Sequence, residues 1–208
     1  MLKIGVLISG GGSNLQAIID SIKADDINGE IVQVISNREK AYGLERAKNE
    51  KIPALFLSRK SCSSDEEYDG KIISIFKEKG VELVVLAGYL RILTPDFIKE
   101  FKDRIINIHP SLVPAFSGDG FYGSKVHEAV IERGVKITGA TVHFVNEITD
   151  GGPIIHQSAT GVEDDDTAQD VADRVLELEH AILPYAVKLF AEKRLKIEGN
   201  RVKILEGN

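Results

Sequence analysis

The chain predicts an α/β fold in a single domain: a doubly wound, mostly parallel sheet flanked by helices, with a mixed C-terminal half. Short β-branched runs alternate with segments of helical spacing through the first half of the sequence. Residues 82–87 (ELVVLA) form a near-continuous apolar run, of the kind buried on both faces in a parallel sheet. Size agrees, since 208 residues allow one sizeable core and are short for two.

The elements follow in order. Residues 3–9 (KIGVLIS) read as the first strand, followed by a glycine loop and a helix over 14–23. The run 31–35 (IVQVI) is the second strand, 44–49 a short helix and 53–57 the third strand. Over 65–79, Tyr68, Ile72, Ile75 and Phe76 recur at helical spacing, and Gly80 suits the helix stop. After the apolar strand come a short helix over 95–101 and a strand over 104–108. In the second half, 125–133 reads as a helix and 138–145 (TGATVHFV) alternates like a strand. Another strand begins over 154–158, and residues 167–193 form a long helical stretch that Pro184 is expected to bend or divide. Gly199-Asn200 between two alternating runs signals a terminal hairpin. No linker, repeat or low-complexity tract interrupts the chain, so one Rossmann-like domain over 1–208 is expected.

Composition narrows the functional classes. Hydrophobic residues make up 43% and charged residues 28%, the balance of a globular protein. The formal net charge of −6 favours neither nucleic acid nor an acidic membrane surface. An anionic ligand would need local positive devices, such as helix N-termini and a few placed basic side chains. The single cysteine, Cys62, allows no internal disulfide and is no basis for a metal site. No apolar run approaches the roughly 20 residues a spanning helix needs. The N-terminus MLKIGVLISGGG turns glycine-rich too soon for a signal peptide, so a cytoplasmic setting is expected.

Chemistry enters at residues 105–114, IINIHPSLVP, where an apolar strand is interrupted by Asn107 and His109 and stopped at Pro110. Side chains alternate along a strand, so Asn107 and His109 share a face, about 6.5–7 Å apart. They lie at the strand's carboxyl end, the ligand side of such sheets. Alone, the pair reads more readily as polar groups bonded to loop backbone.

Three companions reverse that reading. The loop SGGGSNLQ (9–16) joins a strand to a helix N-terminus, a natural anion site. It is no dinucleotide fingerprint, because Leu15 stands where the third glycine belongs and strand two ends in Ser36-Asn37, with no acidic residue placed to hold a ribose diol. A monophosphate fits better. Asp150 lies in the turn TDGGP, and Arg91 lies among Leu90, Ile92 and Leu93 just past the apolar strand.

In combination, GGGSNLQA, AGYLRIL, NIHPSLVP, TVHFV and DGGPII stand in an order and spacing that resembles the phosphoribosylglycinamide formyltransferase family of folate-dependent formyltransferases. The likeness covers most of the chain. It implies formyl transfer from 10-formyltetrahydrofolate, a co-substrate, to the glycyl amine of glycinamide ribonucleotide in purine biosynthesis, without a metal. It implies that Gly12, Ser13 and Asn14 hold the phosphate and that Glu179 contacts the ribose hydroxyls. Leu90, Arg91, Ile92 and Leu93 would line the folate pocket together with Asn107, and Asn107, His109 and Asp150 would form the catalytic trio. The implied partners are these small molecules, with no nucleic acid and no membrane, for a monomer or homodimer.

The residue types suit that chemistry. Attack by a neutral amine on a formyl carbon puts negative charge on oxygen, which an amide donor and an imidazolium can stabilise. The folate nitrogen needs a proton before it leaves, a general-acid task for His109. Asp150 is expected to raise the His109 pKa by its charge. A glycine-rich segment over 111–136 is expected to close over the reactants.

Two features depart from the family pattern: extra residues around Gly120, Phe121, Tyr122 and Gly123, and Asp65 where a basic residue would help bind the cofactor. His143 reads equally well as support for Asp150 and as a satisfied strand histidine. Glu163 to Asp166 read as charge complementing a helix dipole.

Rival readings fare worse. A Ser111-His109-Asp150 hydrolase lacks the G-x-S-x-G elbow. A methionyl-tRNA formyltransferase needs a further RNA-binding domain, and 58 residues follow Asp150. A formyltetrahydrofolate hydrolase would carry a regulatory domain before the first strand. The broken fingerprint opposes a nicotinamide oxidoreductase, and a non-catalytic nucleotide module leaves the trio unexplained.

Overall fold

The computed structural model describes residues 1–207, which divide into two compact units, one ending at residue 106 and the other beginning at residue 107. In the first unit, β1 (Leu2–Ile8), β2 (Gly29–Ser36), β3 (Ala54–Phe56) and β4 (Leu83–Leu86) alternate with α1 (Ser13–Lys23), α2 (Tyr42–Asn49) and α3 (Asp65–Glu78). Helix α4 (Pro95–Glu100) then leads into β5 (Ile105–His109), the strand on which the units divide. Strand order is β3-β2-β1-β4-β5, and β1 pairs in parallel with both β2 and β4. The order reverses beside β1, so the loops after β1 and β4 flank the switch point where such sheets bind ligands.

Burial explains the first unit. All four residues of β4 are buried, as its apolar run requires. A Cβ on Gly5 would lie 2.8 Å from the Phe76 ring, so α3 packs its aromatic directly onto the β1 backbone. Phe76 meets Phe101 edge-on at 6.1 Å between centroids.

The second unit carries α5 (Ser124–Arg133), β6 (Ile137–Phe144), β7 (Ile154–Gly161), α6 (Ala168–Ala191), β8 (Leu195–Glu198) and β9 (Arg201–Ile204). Its strand order is β5-β6-β7-β9-β8, with β6–β7 and β8–β9 antiparallel and β7–β9 parallel. This is the mixed half. Gly199, at a φ of 60°, turns the terminal hairpin.

Pro184 does not divide α6, which runs unbroken over 24 residues. Proline removes one backbone bond, but Leu183, Pro184 and Val187 are all buried, and their packing holds the helix through the gap. The acidic run immediately precedes the Thr167 cap of α6. Asp166 pairs with Arg174 and Asp164 with Lys136, while Thr167 and Asp170 form a reciprocal cap at the helix start.

Among the described residues no helix is long and apolar enough to cross a membrane.

Candidate active site

In the second unit, β5 ends by delivering Asn107 and His109, and β6 delivers His143 at a register shift that re-aims its side chain. Asp150 lies in the turn after β6 at a φ of 53°, an uncommon conformation for a residue with a side chain. The turn needs its glycines: a Cβ on Gly152 would fall 1.8 Å from the Phe144 carbonyl oxygen.

These groups meet. Asp150 Oδ2 lies 3.4 Å from His109 Nδ1, and Asp150 Oδ1 lies 3.6 Å from His143 Nε2. The Gly118 N–H donates to Asp150 Oδ2 at 2.9 Å, and His109 Nε2 lies 2.9 Å from the Phe116 carbonyl oxygen. A carbonyl only accepts, so His109 carries a hydrogen on Nε2. By the same logic His143 donates from Nδ1 to the Phe144 carbonyl at 2.8 Å. Its Nε2 then accepts from the Asn107 amide at 3.1 Å, which orients that amide. One Asn107 N–H is thereby anchored and the second is left to donate elsewhere.

Electrostatics corrects one expectation. Burial pushes the His109 pKa down, and the Asp150 charge and the Phe116 carbonyl push it up without prevailing, while His143 adds to the fall. Asp150 thus acts in the expected direction, but His109 ends below its ordinary value rather than above it. Burial pushes the Asp150 carboxyl up, yet its polar neighbours, His109 and the Gly118 N–H among them, outweigh it and hold the carboxyl ionised below its usual range. Ser111 takes no part, since its hydroxyl donates to the Ala115 carbonyl.

In the first unit, α1 starts at Gly12 with no side-chain cap and no acid in its first turn, so its leading N–H groups are open to an anion. Gly12 has a φ of 71°, and a Cβ there would lie 2.6 Å from the Gly43 Cα. Gly10 and Gly11 face open space.

Known proteins resemble this chain over nearly its whole length. The formyl transferase family matches residues 2–187. Phosphoribosylglycinamide formyltransferase of Haemophilus influenzae is 44% identical over 200 residues, covering 96% of this chain and 92% of its own. The Escherichia coli protein of that name is 42% identical with the same coverage. The crystal structure of glycinamide ribonucleotide transformylase 1 from Symbiobacterium toebii superposes with a TM-score of 0.95 at 46% identity, covering 99% of this chain and 95% of that one. The chain belongs to the phosphoribosylglycinamide formyltransferase family.

Each residue expected from the family has a definite place. Ser13 opens α1, and Asn14 is buried on that helix. Leu90 and Ile92 are exposed at 42% and 69%, whereas Leu93 is buried. Arg91 stacks over the Tyr68 ring and pairs with Asp65 at 2.6 Å. Asp65 also pairs with Arg59, and the two guanidinium groups hold its carboxyl below the usual range. Glu179 is buried on α6 rather than a solvated helix residue.

The segment 111–136 is less uniform than its glycines suggested. The Val113 N–H donates to Thr141 Oγ1, Gln157 donates to the Val113 carbonyl, and 124–133 is helix. The rest is turn and loop, in which Phe116 and Gly118 contact His109 and Asp150. These two backbone partners left no mark in the sequence, because a carbonyl or N–H is common to every residue. Among the described residues, no group of three His, Cys, Asp or Glu is placed to hold a metal.

Proposed function

We propose that this chain formylates the glycyl amine of glycinamide ribonucleotide, taking the formyl group from 10-formyltetrahydrofolate by direct attack through a tetrahedral intermediate. The observation that carries the reading is the meeting of Asn107, His109 and Asp150 in the second unit, in a chain of this family.

The geometry supports a role for each residue. Asn107, held by His143, offers its remaining N–H to the oxygen that gains charge as the amine adds. The amine nitrogen must lose one proton and the folate nitrogen must gain one, so no proton is consumed overall. His109 gives its proton to the folate nitrogen and regains one from the amine, and the ionised Asp150 stabilises the imidazolium form. A depressed pKa makes that imidazolium a stronger acid, which favours delivery to the leaving nitrogen. The contact of 3.4 Å is looser than a charge-assisted hydrogen bond, so the pair has room to tighten as charge develops. The open N-terminus of α1 with Gly12, Ser13 and Asn14 receives the phosphate, Glu179 receives the ribose hydroxyls, and Leu90, Arg91 and Ile92 face the folate.

The single-domain reading over 1–208 belongs to this proposal, supported by a family match that runs across the division at 106/107. So do a cytoplasmic setting and a monomeric or homodimeric state. Incubation with 10-formyltetrahydrofolate, with and without glycinamide ribonucleotide, tests the function. Formyl transfer that requires the ribonucleotide is the expected result. Hydrolysis without it would replace the reading with a deformylase, and inertness with both substrates would remove it.

A further inference from the structure

A chain with a net charge of −6 must assemble positive potential locally to hold a phosphate. Within the first unit the loop after β1 meets the start of α2, where the Gly43 N–H donates to the Gly10 carbonyl at 3.1 Å. The tight approach of Gly12 to Gly43 brings the N-terminal ends of α1 and α2 to one loop.

One side chain of α2 returns to that loop. Arg46 donates from Nε to the Gly11 carbonyl at 2.9 Å and from Nη1 to Gln16 Oε1 at 3.3 Å, and its guanidinium stacks on the Tyr42 ring at 5.1 Å. A Cβ on Gly12 would lie 3.5 Å from the Arg46 Cδ, so the arginine stem runs alongside the glycine. Neither hydrogen-bond partner is a carboxylate, so these contacts orient the guanidinium without neutralising it. It is aimed by a carbonyl, an amide and an aromatic face, which leaves its charge for an anion.

We infer that Arg46 is a binding residue for the phosphate monoester of the ribonucleotide, supplying the full positive charge beside the N–H groups of Gly12, Ser13 and Asn14. The inference rests on the proposed function for the identity of the ligand, but its test does not need turnover. Arg46 acts in two ways: its Nε bond to Gly11 holds the loop in shape, and its remaining guanidinium hydrogens face an arriving dianion. A guanidinium presents a planar fork that suits phosphate oxygens, and the aromatic face keeps that fork in plane.

The experiment compares wild type, Arg46→Gln, Arg46→Lys and Lys48→Gln, an exposed charge removed from the same helix. Inorganic phosphate is titrated against the amide signals of Gly11 and Gly12 by NMR, and steady-state constants are measured in parallel. Arg46→Gln should weaken phosphate binding and raise the ribonucleotide KM together, each by about 10- to 100-fold, the worth of a charged hydrogen-bonding group. Folate KM and kcat should change little. Arg46→Lys should recover part of the loss, because it keeps the charge and lacks the fork. Lys48→Gln should match wild type. Unchanged phosphate affinity in Arg46→Gln would overturn the inference. So would an Arg46→Lys as weak as Arg46→Gln, which would assign the loss to the loop bond alone. If wild type bound phosphate here but did not formylate the ribonucleotide, the functional reading would fail while the role of Arg46 stood.

Discussion

His109 Nε2 donates to the main-chain carbonyl of Phe116 across 2.9 Å, so the imidazole at the centre of the site is bonded to the loop beside it. With Nε2 committed, Nδ1 is the nitrogen that gains and loses a proton, and it faces Asp150. Phe116 accepts this bond from a φ of 48°, a left-handed conformation that costs energy for a residue with a side chain. The loop therefore sets the protonation geometry of the imidazole.

Replacing Asp150 tests that coupling. Burial lowers the His109 pKa and Asp150 raises it, so Asp150→Asn should lower it further. The acid form is the one required, so the alkaline limb of the kcat/KM profile should move toward acid pH. kcat should fall by about 10²- to 10⁴-fold, with both KM values little changed. His109→Asn should lose both the activity and the limb. Identical His109 titration curves by NMR in wild type and Asp150→Asn would refute the coupling.

The glycine loop gives a second test. Gly12→Val cannot isolate anion approach, because a Cβ at that position strikes the Gly43 backbone and the left-handed φ adds about 1–2 kcal/mol of strain. Gly11→Ala is the cleaner change, since a Cβ there meets nothing within 4 Å. Gly12→Ala should lower Tm by several degrees. Gly11→Ala should keep Tm and raise the ribonucleotide KM, leaving the folate KM alone. A Gly11→Ala enzyme with normal KM would mean that the phosphate does not approach this face.

Loop closure should be local. Binding of both substrates, or of a mimic that joins them, should slow hydrogen exchange over 116–123. Residues 112–115 and 124–133 should change little, because the first are bonded through Val113 to Thr141 and Gln157 and the second are helical. Uniform protection across 111–136 would contradict this division.

Acid stability offers a fourth check. His109 and His127 are buried with pKa values pushed down, His109 by burial above all and His127 by burial and then by His109. The unfolded chain binds protons at these residues near the ordinary value of about 6.5, before the folded protein does. Stability should therefore be fully present above that pH and be lost as pH falls through it, until the folded values are passed. His127→Leu should flatten the fall in Tm between about pH 7 and pH 5, because His127 Nδ1 has no hydrogen-bond partner to lose. An unaltered slope would show that His127 does not carry this dependence.

The sequence by itself determined the elements and most of the site. Hydrophobic periodicity is local, so the apolar strand 82–87, the helix after Asp65 and the terminal hairpin were legible from neighbours alone. Asn107 and His109 were legible because polar groups inside an apolar strand contradict its pattern. Tertiary structure alone decided how those groups are tuned. The balance that leaves His109 below its ordinary pKa depends on burial and on Asp150, 41 residues away in the chain, and no local pattern reports burial. The Phe116 carbonyl, the Gly118 N–H and the turn of Arg46 back to Gly11 were equally hidden. Backbone groups are the same at every residue, and only the folded path decides which of them faces a charge.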